Sequence, residues 1–185
     1  MRDRGKAFEN AFKKSCEKYA DISIDRVNDN MSFYQGSEGI CDFIVYKKPY
    51  ECYIECKSHN GNILPFNCII PKKKTESKRK QKSKFERMLE KADLAGVTAG
   101  YIIWLVDKDI TFFLDVRDLK QALDLGYKSI GYHNDRVFSF PEQTSYRSFV
   151  LTGNKKRIYY NYDIIDFFRK IGEIYERNDI DREET

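Results

Sequence analysis

Residues 39–61 read GICDFIVYKKPYECYIECKSHNG, and within this largely apolar stretch stand Asp42, Glu55 and Lys57. The flanking residues have the pattern of two short strands around a turn at Lys48 and Pro49. With the turn centred between those two residues, Asp42 faces Glu55, Phe43 faces Ile54 and Ile44 faces Tyr53. Directly opposed residues of an antiparallel pair hold their Cβ atoms about 4.5–5.5 Å apart. Glu55 and Lys57 are two residues apart, so they share a face, about 7 Å apart along the strand. All three charges then converge on one side, and Cys41, Phe43, Val45, Cys52, Ile54 and Cys56 fill the other as core. Two carboxylates this close repel unless a cation sits between them or one keeps its proton. Oxygen ligands completed by water suit Mg²⁺, with Mn²⁺ as a substitute. A lysine beside them can neutralise charge building on a phosphate or orient an attacking water. An ordinary half-exposed hairpin with a Glu–Lys pair uses the same E-x-K tripeptide. What favours the metal is the combination of an acid at matching register, the lead-in GSEGICD and a basic segment nearby.

Other elements must hold this hairpin. RGKAFENAFKKSCEKYA places Phe8, Ala11, Phe12, Ser15, Cys16 and Tyr19 at helical spacing, with Glu9 at the edge of that face. KFERMLEKADLAG has Phe85, Met88, Leu89 and Ala92 on one helical face and Gly96 near its end. GYIIWLV is a continuous apolar run, as in a strand buried on both faces, and ITFFLDV reads as its hairpin partner. RDLKQALDLG follows as a short helix, residues 127–160 read as irregular with a short strand at RVFSF, and DIIDFFRKIGEIYE closes as an amphipathic helix capped by Asp163. The order predicts one α/β domain over 1–185, a mixed central sheet flanked by helices.

The net charge of +4 is unevenly spread. Residues 72–84, KKKTESKRKQKSK, hold eight Lys or Arg and one Glu, leaving 25 basic against 28 acidic residues elsewhere. The segment 71–84 therefore supplies the positive balance, as a mobile arm that contacts a polyanion or as a solvated loop. No apolar run reaches the roughly 20 residues that span a bilayer, so no membrane partner is expected. The start MRDRGKAFENAFKK lacks an apolar signal core, and the five cysteines are an odd number, so a reducing cytoplasm is expected.

The quoted residues resemble a known family. Asp42 followed by I-E-C-K is similar to the core of the PD-(D/E)XK nuclease superfamily, and more narrowly the chain resembles the RecU-type Holliday-junction resolvases, their phage-like members above all. The similar features are GKAFENAFKKS, DRVND, GICDFIVY, YIECKS, LPF and AGYIIWLV, in order over roughly residues 5–115. The resemblance implies a restriction-endonuclease-like core and a homodimeric, Mg²⁺-dependent endonuclease that cuts branched, four-way DNA symmetrically. It implies Asp42, Glu55 and the Cys56 carbonyl as metal ligands, Lys57 as the catalytic lysine, and Glu9 as the helix acid that organises the metal site or its waters. It matches Arg26 to an arginine that contacts phosphate; the charge of the basic run, apart from the resemblance, assigns Lys72, Lys73, Lys74, Lys78, Arg79 and Lys80 to gripping the DNA backbone. The family glutamine on the helix after the core has Gln81 as its nearest counterpart, across an apparent insertion.

Two other functions fit the same residues. A restriction-type or repair endonuclease would cut by sequence rather than by branching, and a non-catalytic nucleic-acid-binding module would not need the intact Asp42–Glu55–Lys57 set. A zinc site at Cys52, Cys56 and His59 lacks a fourth ligand, and both cysteines fall on the core side of their strand.

Overall fold

The structure is a computed structural model and describes residues 4–27, 39–70, 82–133, 136–137, 147–155 and 160–183. Of the basic segment, residues 71–81 lie outside these, and with them Lys72, Lys73, Lys74, Lys78, Arg79, Lys80 and Gln81.

A helix α1 (Arg4–Cys16) leads into strands β1 (Ser23–Arg26), β2 (Phe43–Lys47), β3 (Tyr50–His59) and β4 (Ile63–Pro65), followed by the helix α2 (Lys84–Ala95). Next come β5 (Thr98–Leu105), β6 (Ile110–Asp115), the helix α3 (Val116–Asp124), β7 (Ser129–His133), β8 (Arg136–Val137), β9 (Phe149–Val150), β10 (Gly153–Lys155), β11 (Tyr160–Tyr162) and the helix α4 (Ile164–Glu183). Six of the strands form a mixed sheet in the order β1-β2-β3-β5-β6-β9. Among the described residues only β3 and β5 run parallel, and the crossover between them carries α2. The fold is α/β with a mixed central sheet flanked by helices, as its patterning predicts.

Alternation along the strands gives the sheet two buried faces. Tyr101, Ile103 and Leu105 of β5 and Phe112 and Leu114 of β6 join Phe85, Met88 and Ala92 of α2 and Leu119 and Ala122 of α3. On the opposite face Ile102 and Phe113 join Phe8 and Phe12 of α1 and Phe167, Phe168 and Ile171 of α4. The β2–β3 register pairs Phe43 with Ile54 and Ile44 with Tyr53, as the hairpin reading requires. Two details differ from it. The face that carries the charged residues is itself a core, because β3 lies inside a sheet covered by helices on both sides. Cys41 packs in that same core with Leu64 and Phe66, rather than with Phe43 and Val45, because regular pairing stops at Phe43 and the chain leaves the strand there.

Strand β1, paired antiparallel with β2, was not apparent in the sequence, since its four residues are polar or only half-buried at the sheet edge. The described residues between 127 and 160 are more regular than their composition suggests. They supply β7, which pairs with β4, and β9, which closes the sheet against β6. Of the strand expected at 136–140, Arg136–Val137 pairs with β7, and residues 138–140 lie outside the described ones. Asp163 caps α4 by accepting from the Asp166 N–H at 2.9 Å.

Gly100 lets β5 sit between β3 and β6. A Cβ there would fall 2.3 Å from Phe113 Cε2 and 2.6 Å from the Leu114 carbonyl oxygen, distances no side chain tolerates. We expect Gly100→Val to lower stability by about 1–3 kcal/mol or more through overpacking. The check is a thermal melt of the variant, and an unchanged midpoint would contradict this packing.

Candidate active site

The site grows out of the end of the β2–β3 ladder. Phe43–Ile54 is the last regular pair. Beyond it the backbone of Asp42 is held twice, by its N–H donating to the Ile54 carbonyl at 3.1 Å and by its own carbonyl accepting from the Val27 N–H at 3.0 Å. The Asp42 side chain then does what a ladder residue would have done: Oδ2 accepts from the Cys56 N–H at 2.8 Å. That bond aligns the carboxylate beside β3 and leaves Oδ1 turned toward Glu55 and Lys84.

Glu55 lies on central strand β3, next to Tyr101 of β5, and is 2% exposed. Burying an ionised carboxylate without partners is costly, so its partners define the site. Lys57 Nζ donates to Oε1 at 2.7 Å. Lys84 Nζ reaches Oε1 at 3.2 Å and Oε2 at 3.0 Å, and stands 3.7 Å from Asp42 Oδ1. One ammonium therefore bridges the two acids. The hairpin brings Asp42, Glu55 and Lys57 together as the sequence predicts, and α2 adds a fourth member.

Lys84 was passed over in the sequence because it reads as the last residue of a basic run. A signal was present. Ser83 and Glu86 form a capping box, with the Ser83 hydroxyl accepting from the Glu86 N–H and the Glu86 carboxylate accepting from the Ser83 N–H. This S-x-x-E pattern fixes the helix start and puts Lys84 at its first position. A cation there opposes the helix dipole, so its place calls for a nearby anion. Arg87, one turn on, donates to the Gly39 carbonyl at 3.1 Å and ties α2 to the chain entering Asp42.

Glu9 and Arg26 meet each other. The Arg26 guanidinium donates to the Glu9 carboxylate and lies over the Phe43 ring, 5.1 Å from its centroid. Arg26 is thus engaged with Glu9 rather than extended on its own, and Glu9 acts on Asp42 through its charge. The acids Glu9, Asp42 and Glu55 are balanced by Arg26, Lys57 and Lys84.

Burial pushes the Asp42 carboxyl up to about 6, and the charge of Glu55 adds to the shift; the Cys56 N–H and Lys84 oppose it. Burial, with the charges of Glu55 and Asp42, also pushes the Tyr101 hydroxyl up, so it stays a neutral donor. Its oxygen is buried and has no hydrogen-bond partner among the described residues. Burial holds Cys52 and Cys56 as neutral thiols, which does not suit zinc ligation.

The donor chemistry fits a hard divalent cation. Among the described residues no three His, Cys, Asp or Glu side chains gather at one point. Two carboxylates facing one cation position suit Mg²⁺, which takes few protein ligands because it retains much of its hydration. The orphaned Tyr101 hydroxyl adds a donor that a water in such a shell would satisfy.

The sign of the Asp42 shift sets a pH dependence. The folded protein keeps this proton up to about pH 6, whereas the unfolded chain releases it near 3.8. Between these values the folded state binds more protons, so stability falls as pH rises through the window. Without metal, the melting temperature of Asp42→Asn should fall less than that of the wild type between about pH 4 and 6. Parallel curves would contradict the raised carboxyl.

No family model and no curated protein matches the sequence. Among solved structures, the chain is similar to that of Hjc, a Holliday junction resolvase from the archaeal hyperthermophile Archaeoglobus fulgidus. The TM-score is 0.41 and the identity 18%, over 61% of this chain and 78% of that one. A likeness of that size assigns no role to any residue here.

Proposed function

We propose that the protein is a metal-dependent, structure-selective DNA endonuclease that resolves four-way junctions by symmetric phosphodiester hydrolysis, acting as a homodimer. The observation that carries the nuclease reading is the convergence of Asp42 and Glu55 on one cation position with Lys57 bonded beside it. Preference for branched DNA and dimerisation rest on the motif resemblance over residues 5–115.

Asp42, Glu55 and the Cys56 carbonyl would hold Mg²⁺, or Mn²⁺ in its place. When bound, the ion supplies Lewis-acid polarisation of a phosphate oxygen and a more acidic water. The chain's own residues do the rest. The Cys56 N–H keeps the Asp42 carboxylate aimed. Glu9, held by Arg26, adds negative potential that favours a cation at Asp42. Lys57 brings its ammonium to the charge that builds on the phosphate. The Tyr101 hydroxyl offers a donor to a water at the acids.

The test compares a synthetic four-way junction with a linear duplex of the same arms, each with Mg²⁺ or EDTA. Paired symmetric nicks on the junction alone are expected, abolished by EDTA and reduced about 100-fold or more in Lys57→Ala. Asp42→Asn should lose turnover and still bind the junction. Cleavage of both substrates at one sequence would replace the junction reading with a restriction-type one. Tight binding without cleavage in any divalent metal would overturn the nuclease reading and leave a nucleic-acid-binding module.

A further inference from the structure

Lys84 holds a position that the proposed reaction does not explain. Its ammonium touches both oxygens of Glu55, at 3.2 and 3.0 Å, and stands 3.7 Å from Asp42 Oδ1. That is where a cation shared by the two carboxylates would sit. Lys57 pairs with Glu55 Oε1, from the same strand, and among the described residues is not seen to bridge the two acids. Lys84 is also differently anchored. It comes from the first turn of α2, at the end of the basic run 72–84, so its backbone is not part of the sheet. It is 24% exposed, against 2% for Glu55, so its ammonium lies on the solvent side of the buried acid.

We propose that Lys84 is a built-in counter-ion that occupies the shared cation position when no metal is bound and competes with the divalent ion for it. The inference rests on the proposed metal role of Asp42 and Glu55. In the metal-free protein the ammonium adds to Lys57 in compensating the buried Glu55 and is the cation that also faces Asp42 Oδ1, so the site stays folded and aligned without metal. When a divalent ion enters, like charges cannot share the position, and the side chain must leave it. Its flexible four-carbon stem allows that departure without moving α2. Lys84 thus sets the metal concentration at which the site loads. An ordinary structural ion pair would behave differently, because its loss would loosen the site and weaken metal binding.

Calorimetric titration of the full chain with Mn²⁺ tests this. Lys84→Met and Lys84→Gln remove the charge and keep most of the length. Lys82→Met is the control, since Lys82 is two residues away and pairs with Glu90 outside the site. Circular dichroism identifies any variant that does not fold, and either substitution at Lys84 suffices. The expected result is Mn²⁺ binding about tenfold tighter in the Lys84 variants, with Lys82→Met close to wild type. Metal-free Lys84 variants should also melt lower than wild type and gain more from saturating Mn²⁺. Equal or weaker Mn²⁺ binding in both Lys84 variants would overturn the counter-ion role and leave the metal site standing. Equal tightening in Lys82→Met would also overturn it, by showing a general charge effect. If the wild type binds Mn²⁺ no better than Asp42→Asn does, the metal site itself is wrong.

Discussion

A carboxylate buried on a central strand is the constraint to which the rest of this site answers. Glu55 is almost inaccessible, between cores on both faces of the sheet. An isolated ionised acid there would be heavily penalised. Its neighbours are arranged to compensate it: Lys57 on its own strand and Lys84 from a helix distant in sequence. Asp42 then adds a second acid, fixed by a backbone N–H, whose charge raises the demand for a cation further. A protein selected for stability alone would do better with apolar residues at these positions. The cost is consistent with a function that needs two acids at one point.

The supporting architecture is economical in its use of elements. The antiparallel β2–β3 ladder ends at Phe43–Ile54, and the bond from the Cys56 N–H to Asp42 Oδ2 then sets that acid beside β3. The parallel β3–β5 pair places Tyr101 beside Glu55 and requires a crossover, and that crossover carries the helix that delivers Lys84 and Arg87. One strand pairing thus brings both the hydroxyl and the second lysine to the acids. On the far face, α1 and α4 pack Phe8, Phe12, Phe167 and Phe168 under the strands, and α1 carries Glu9 to Arg26 at the edge.

Much of this was legible in the sequence because its signals are local. Hairpin register follows from a turn position and alternating apolar residues, so Asp42, Glu55 and Lys57 could be placed together from spacing alone. The helices α1, α2 and α4 are visible through their apolar periodicity. What was not legible depends on long-range pairing. Strand β1 lacks an apolar pattern, and β9 is two residues long. Cys41 changes face because the chain leaves the ladder, which alternation does not reveal. The Glu9–Arg26 contact joins residues from separate elements, and each reads alone as a surface charge. Lys84 was hidden by its company, since a lysine in a basic run looks solvated until the capping box fixes where the helix begins.

A crystal structure of the protein soaked in Mn²⁺, with anomalous diffraction, tests the central claim most directly. The account predicts an anomalous peak between the carboxylates of Asp42 and Glu55, within bonding distance of both and of the Cys56 carbonyl, with the Lys84 ammonium moved off Glu55. No peak there at saturating Mn²⁺, with Lys84 still bridging the two acids, would contradict it.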